Sequence, residues 1–202
     1  MKSALGCTVT PSLRAVTVNL DMEREIYICY FFYDGPITEK LLDLASCSAT
    51  EASDCWSCDE HYIQVDFPTP VPVNGALAYL RKEPGISPPE VSLLPRPSIA
   101  IGKAYLSYAM QQGLLGRVVP SLRMVTVDAD EKQQSMHFYF YYDEEITEEL
   151  LNLSKEAIAI AKKALPETFT SKEEVVFFPY PKRIPTVGGY GVYSRQEENY
   201  EE

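Results

Sequence analysis

Displaced against itself by 109 positions, the sequence superposes residues 11–44 on residues 120–153 without a gap, and 18 of the 34 pairs are identical. This internal repeat limits the possible folds more than any other feature, because two stretches so alike must adopt one structure. The shared frame opens with PSLR at 11–14 and 120–123, passes through TV at 17–18 and 126–127, and reaches an aromatic run. That run is YICYFFY at 27–33 and MHFYFYY at 136–142, closed in each case by an aspartate, Asp34 or Asp143. Ile37, Thr38, Glu39, Leu41, Leu42 and Leu44 follow, with twins Ile146, Thr147, Glu148, Leu150, Leu151 and Leu153.

Within the repeat, Val16 and Val18 alternate with Ala15 and Thr17, the period-two pattern of a half-buried strand. The short polar segments 21–25 and 128–133 then predict a hairpin into the aromatic run. As a strand, that run has two faces. Tyr27, Cys29, Phe31 and Tyr33 match Met136, Phe138, Phe140 and Tyr142, a face apolar enough to be buried in both copies. The opposite face carries Ile26, Ile28, Tyr30 and Phe32 in the first copy and Ser135, His137, Tyr139 and Tyr141 in the second, and becomes more polar. Tyrosine offers large contact area at low entropic cost, so this face either meets a partner or packs against the rest of the chain.

After each aspartate the apolar period becomes helical. Thr38 and Thr147 are placed as N-caps, with Ile37 and Leu42 as a staple and the second helix running to about Leu165 before Pro166. Each copy is expected to close with a strand (61–67 and 173–180), a proline-marked loop, and another strand (76–83 and 190–197), bringing Tyr79 and Arg81 into correspondence with Tyr193 and Arg195. Residues 84–97 hold five prolines in 14 positions and read as a semi-rigid linker. Apolar spacing over 98–115 predicts one further helix, reduced in the first copy to MKSALG, and the final EENYEE reads as a frayed tail. The expected architecture is α+β: two tandem copies of a small (α)ββαββ unit, 1–83 and 98–202, with mainly antiparallel sheets and helices packed on one face.

A formal charge of −11, negative in both copies, disfavours nucleic acid or an anionic membrane as a partner and suits a basic protein. The N-terminus lacks the apolar core of a signal peptide and no run is long enough to span a bilayer, so a cytoplasmic location is expected. Five cysteines, all in the first copy, then suggest reduced thiols.

Chemistry-bearing patterns are sparse. Cys55 and Cys58 with Cys47 and His61 could hold zinc, or belong to a small zinc-dependent enzyme, although the second copy has none of these residues. His137 lies among tyrosines with no nucleophile placed beside it by sequence. Asp34 and Asp143 suit turn and cap chemistry, and Arg14 and Arg123 are expected to pair with carboxylates such as these two. No glycine-rich phosphate loop is present, no cofactor is expected, and the chain reads as non-enzymatic.

The frame LG, PSLRAVTV, IYICYFFYDG, ITEKLLDLAS, DEHYIQVDFP and AYLRKE resembles small bacterial immunity proteins of polymorphic and contact-dependent toxin systems, over nearly all of both copies. The second copy departs where Glu144 and Glu145 replace Gly35 and Pro36 and where SRQE replaces LRKE. The resemblance implies a protein that binds a cognate toxin domain and occludes its active site, and the acidic charge would suit a toxin of basic nuclease type. The contact groups would be Tyr30, Phe32, Asp34, His137, Tyr139, Tyr141 and Asp143. The alternative is a duplicated interaction scaffold unrelated to toxins.

Overall fold

A computed structural model describes residues 9–53, 57–90, 103–130, 132–163, 167–185 and 189–197. In the first repeat β1 (Leu13–Asp21), β2 (Ile26–Tyr33), α1 (Glu39–Ser53), β3 (Ser57–Gln64) and β4 (Ala76–Leu80) follow in order. The second repeat begins with α2 (Lys103–Leu114) and continues through β5 (Leu122–Asp130), β6 (Ser135–Tyr142), α3 (Glu148–Lys163), β7 (Thr170–Phe177) and β8 (Tyr190–Ser194). Each repeat builds a four-stranded sheet, ordered β3-β2-β1-β4 and β7-β6-β5-β8. The α+β class and the duplication are as expected.

Two hairpins start the units. The Asp21 carboxylate accepts from the Glu23 and Arg24 amides, and Asp130 does the same for Lys132 and Gln133, so each turn satisfies its own backbone. Thr38 and Thr147 cap their helices, accepting from the Leu41 and Leu150 amides at 3.4 and 3.3 Å. The helix between β2 and β3 makes a crossover, and a strand reached by a crossover pairs parallel. Accordingly β2–β3 and β6–β7 are parallel, whereas β1–β2, β1–β4, β5–β6 and β5–β8 are antiparallel. The sheets are therefore mixed. The outer strands also start earlier than their apolar residues suggest, at Ser57 and Thr170, because half of each faces solvent.

Cys29, Phe31, Tyr33, Met136, Phe138, Phe140 and Tyr142 face inward as expected, under α1 and α3. In α3, Leu150, Leu153, Ala157, Ile158 and Ala161 recur on one buried stripe, with Glu148 and Glu149 in the first turn and Lys162 and Lys163 in the last complementing the helix dipole. Helix α2 packs on α3 through Gly113, where a Cβ would fall 2.3 Å from the Ala157 carbonyl oxygen. Residues 98–102 and 164–166, the expected ends of these two helices, lie outside the described residues. No helix among the described residues is long and apolar enough to cross a membrane.

The repeats join reciprocally. Val9 bridges Arg195, and its twin Val118 bridges Arg81, the twin of Arg195. Gln196 donates its amide to the Val9 carbonyl and Lys82 to that of Val118, both at 2.8 Å. Residue i of one unit thus meets residue j of the other and j meets i, the pattern of an isologous dimer interface drawn inside one chain. Buried residues of both units form one continuous cluster.

Candidate partner-binding face

The two faces of each sheet are covered differently. Helices cover the inner one; a proline-bearing strap crosses the outer one. Gln64 ends β3 beside Tyr33, whereas Ala76 begins β4 beside Val18, so residues 65–75 must traverse the sheet to connect them. In the second repeat residues 178–185 leave β7 in the same way, and Phe178 lies edge-on to Tyr141 at 6.4 Å.

An arginine anchors each strap. The pairing register shifts between Leu13 and Ala15, and again between Leu122 and Met124, so Arg14 and Arg123 sit in bulges that re-aim the side chain. Arg14 is fully buried; its Nη1 donates to the Val65 and Thr69 carbonyls at 2.6 and 2.9 Å, and its Nε and Nη2 donate to the Glu83 carboxylate, each at 2.5 Å. Arg123 donates to the Phe178 and Lys182 carbonyls at 2.8 and 2.9 Å and to the Glu197 carboxylate at 2.6 and 2.5 Å. The rings of Phe67, in one strap, and Phe178 and Tyr180, in the other, lie 5.7 to 5.9 Å from the guanidinium carbons.

The arginines of PSLR therefore pair with Glu83 and Glu197, not with the aspartates. Asp34 and Asp143 are held instead by Arg81 and Arg195, at 3.2 and 2.7 Å, and those arginines also reach Glu83 and Glu197. Nothing in the local sequence marks either glutamate as the partner of an arginine 69 or 74 residues away. Glu197 in particular is a buried partner, not part of a frayed tail. Burial alone would raise the Glu83 and Glu197 carboxyls, but the arginines hold both below the ordinary value. The Phe67 amide, against burial and together with Arg81, likewise keeps Asp34 low. Glu83 and Glu197 are buried in these contacts, whereas Asp34 and Asp143 remain partly exposed beside their arginines.

Phe32 and Tyr141, expected as contact residues, are 2% and 3% exposed on the strapped face. Tyr30, His137 and Tyr139 are half-buried. In the first repeat Tyr30 stacks on His61 with centroids 4.8 Å apart, and His61 Nε2 lies 3.8 Å from the Asp59 carboxylate. In the second, the Tyr139 hydroxyl and His137 Nδ1 are 2.9 Å apart, and His137 Nε2 lies 3.5 Å from Glu174. Tyr139 also stacks on Tyr141. Both histidines of the chain thus stand on the outer face, each against a tyrosine and a carboxylate, although one is on β3 and the other on β6. Beside them the Thr17 and Thr126 hydroxyls, opposite Tyr30 and Tyr139, are buried without a hydrogen-bond partner among the described residues. Sequence reasoning assigned His61 to a cysteine cluster; alternation along β3 places it on this face.

The described members of that cysteine cluster do not come together. Cys47 is exposed on α1, Cys58 lies against buried Cys29, and Cys55 falls outside the described residues. Among the described residues no three metal-capable side chains converge.

The sequence profile of the MafI2 immunity protein family matches residues 1–83 and 103–197, one stretch in each repeat. The chain belongs to the MafI2 immunity protein family. Its two MafI2 stretches coincide with the two sheet units, so the strap, the arginine anchor and the Tyr-His-carboxylate row occur twice within family-matched sequence. No curated protein matches the chain.

Proposed function

We propose that the chain is a non-enzymatic immunity protein that binds a cognate toxin domain in the cytoplasm and occludes its active site, using the outer sheet faces as contact surfaces. The family match across both repeats carries this reading. The rows support the location: half-buried Tyr30 with exposed His61, and half-buried His137 with Tyr139, offer aromatic anchors rimmed by Asp59 and Glu174. The flanking carboxylates, on a chain of charge −11, favour a basic toxin through fast, salt-sensitive association. The two rows differ in geometry, Tyr30 stacking on His61 whereas the Tyr139 hydroxyl meets His137 Nδ1, so one repeat supplies the dominant contact. Titration calorimetry with a candidate cognate toxin domain tests it. A tight complex weakened about tenfold or more by Tyr139→Ala, and weakened again by raised salt, is expected. No complex refutes the function; a tight complex indifferent to Tyr139→Ala and Tyr30→Ala refutes the surface.

A further inference from the structure

Parallel pairing of β3 with β2 sets Cys58 beside Tyr27 and Cys29 beside Glu60, so the two cysteines are diagonal neighbours on adjacent strands. Both side chains point to the helix-covered face: Cys29 belongs to the core and Cys58 packs against it. Their sulfurs are 3.0 Å apart. The sequence drew attention to Cys55 and Cys58 by their CxxC spacing, whereas the fold gives Cys58 a partner 29 residues earlier. The second repeat has Phe138 and Ser171 at the corresponding places on β6 and β7, so this is a feature of one unit only.

We propose that Cys29 and Cys58 form an oxidisable dithiol whose closure staples the edge strand β3 to β2. The oxidant is an organic disulfide. Half-buried Cys58, as its thiolate, attacks one sulfur of the oxidant, whose other half leaves as a thiolate and takes up a proton. Cys29, losing its own proton, then attacks the Cys58 sulfur of the mixed disulfide and releases the second half. Two protein thiols become one disulfide, and the oxidant becomes two thiols. The order follows from access, since Cys29 is buried and only its neighbour can present it with a mixed disulfide. Burial, ahead of their mutual hydrogen bond, pushes the Cys29 thiol up, and burial raises that of Cys58 as well, so the pair stays protonated and closes slowly at neutral pH.

The staple has a mechanical consequence. Among the described strands β3 is bonded only to β2, and the same two strands carry the Tyr30–His61 stack on their opposite face. A covalent tie on the inner side fixes the strand pair that presents this row, and closes a loop containing the whole of α1.

The test equilibrates the intact protein with oxidised glutathione and maps its peptides without reduction. A linkage between the Cys29 and Cys58 peptides is expected, absent in Cys58→Ser, together with a Tm about 5–10 °C above that of the reduced protein. Recovery of both as free thiols, or Cys58 linked to Cys55 or Cys47, overturns the assignment. Linkage with no rise in Tm overturns the stapling.

Discussion

Each strap rests on one buried guanidinium whose donors are divided between strap carbonyls and a carboxylate at the end of the repeat. Replacing Glu83 by Gln keeps the shape but leaves the Arg14 charge uncompensated at a site without solvent. A loss of about 3–5 kcal/mol in urea unfolding is expected, the range for removing one partner of a buried pair. The pH dependence follows from the same contacts. Glu83 and Glu197 have folded values held below the ordinary 4.5, so the unfolded chain takes up protons first as pH falls. Their stabilisation is complete above about pH 4.5 and is lost as pH falls through the folded values. Urea midpoints measured from pH 7 to pH 3 should therefore fall steeply at the acid end for the native protein and less steeply for Glu83→Gln.

The elements are shaped by how closely they approach one another. Helix α2 reaches α3 at Gly113, and no side chain fits between that Cα and the Ala157 carbonyl. Gly113→Ala should cost about 1–3 kcal/mol by forcing the helices apart, despite alanine's better helix propensity. Gly191→Ala is the matched control: no described atom lies within 4 Å of its Cβ position, and its stability should stay within about 0.5 kcal/mol of native. Some element-scale features were open to sequence reasoning, such as the N-caps Thr38 and Thr147 and the inward faces of β2 and β6, because they depend on local chemistry and strict period. The starts of β3 and β7 were not. Their exposed halves carry Asp59, Lys172 and Glu173, and an edge strand needs no apolar alternation to be held by its ladder.

Across the whole molecule, the twin bridges Val9 to Arg195 and Val118 to Arg81 make each repeat complete the other's sheet end. If these bridges act as an interface, an unbroken chain through residues 84–97 is not needed to hold the halves together once they have met. A protease site inserted within residues 91–97 and cut in the folded protein should give two chains that elute with the uncut protein and separate only in denaturant. Halves that separate on size exclusion under native conditions would show that the reciprocal bridges are too weak to act as an interface. This arrangement also presents two outer sheet faces whose rows differ, Tyr30 with His61 in one repeat and His137 with Tyr139 in the other, so duplication has diversified the surface while keeping the arginine anchors.

The sequence by itself determined the repeat, the α+β unit, the capped helices and the inward aromatic face, because each is written in spacing between residues near one another in the chain. It also brought the expectation of an immunity protein, carried by motif resemblance. Only the tertiary structure decided which charges pair and which aromatics are open. Arg14 meets Glu83 across 69 residues, Cys58 meets Cys29 across a crossover, and Phe32 and Tyr141 are closed off on a face crossed by a strap. No local pattern encodes those meetings, since they depend on the bulge that turns an arginine and on the path a loop takes between opposite edges of a sheet.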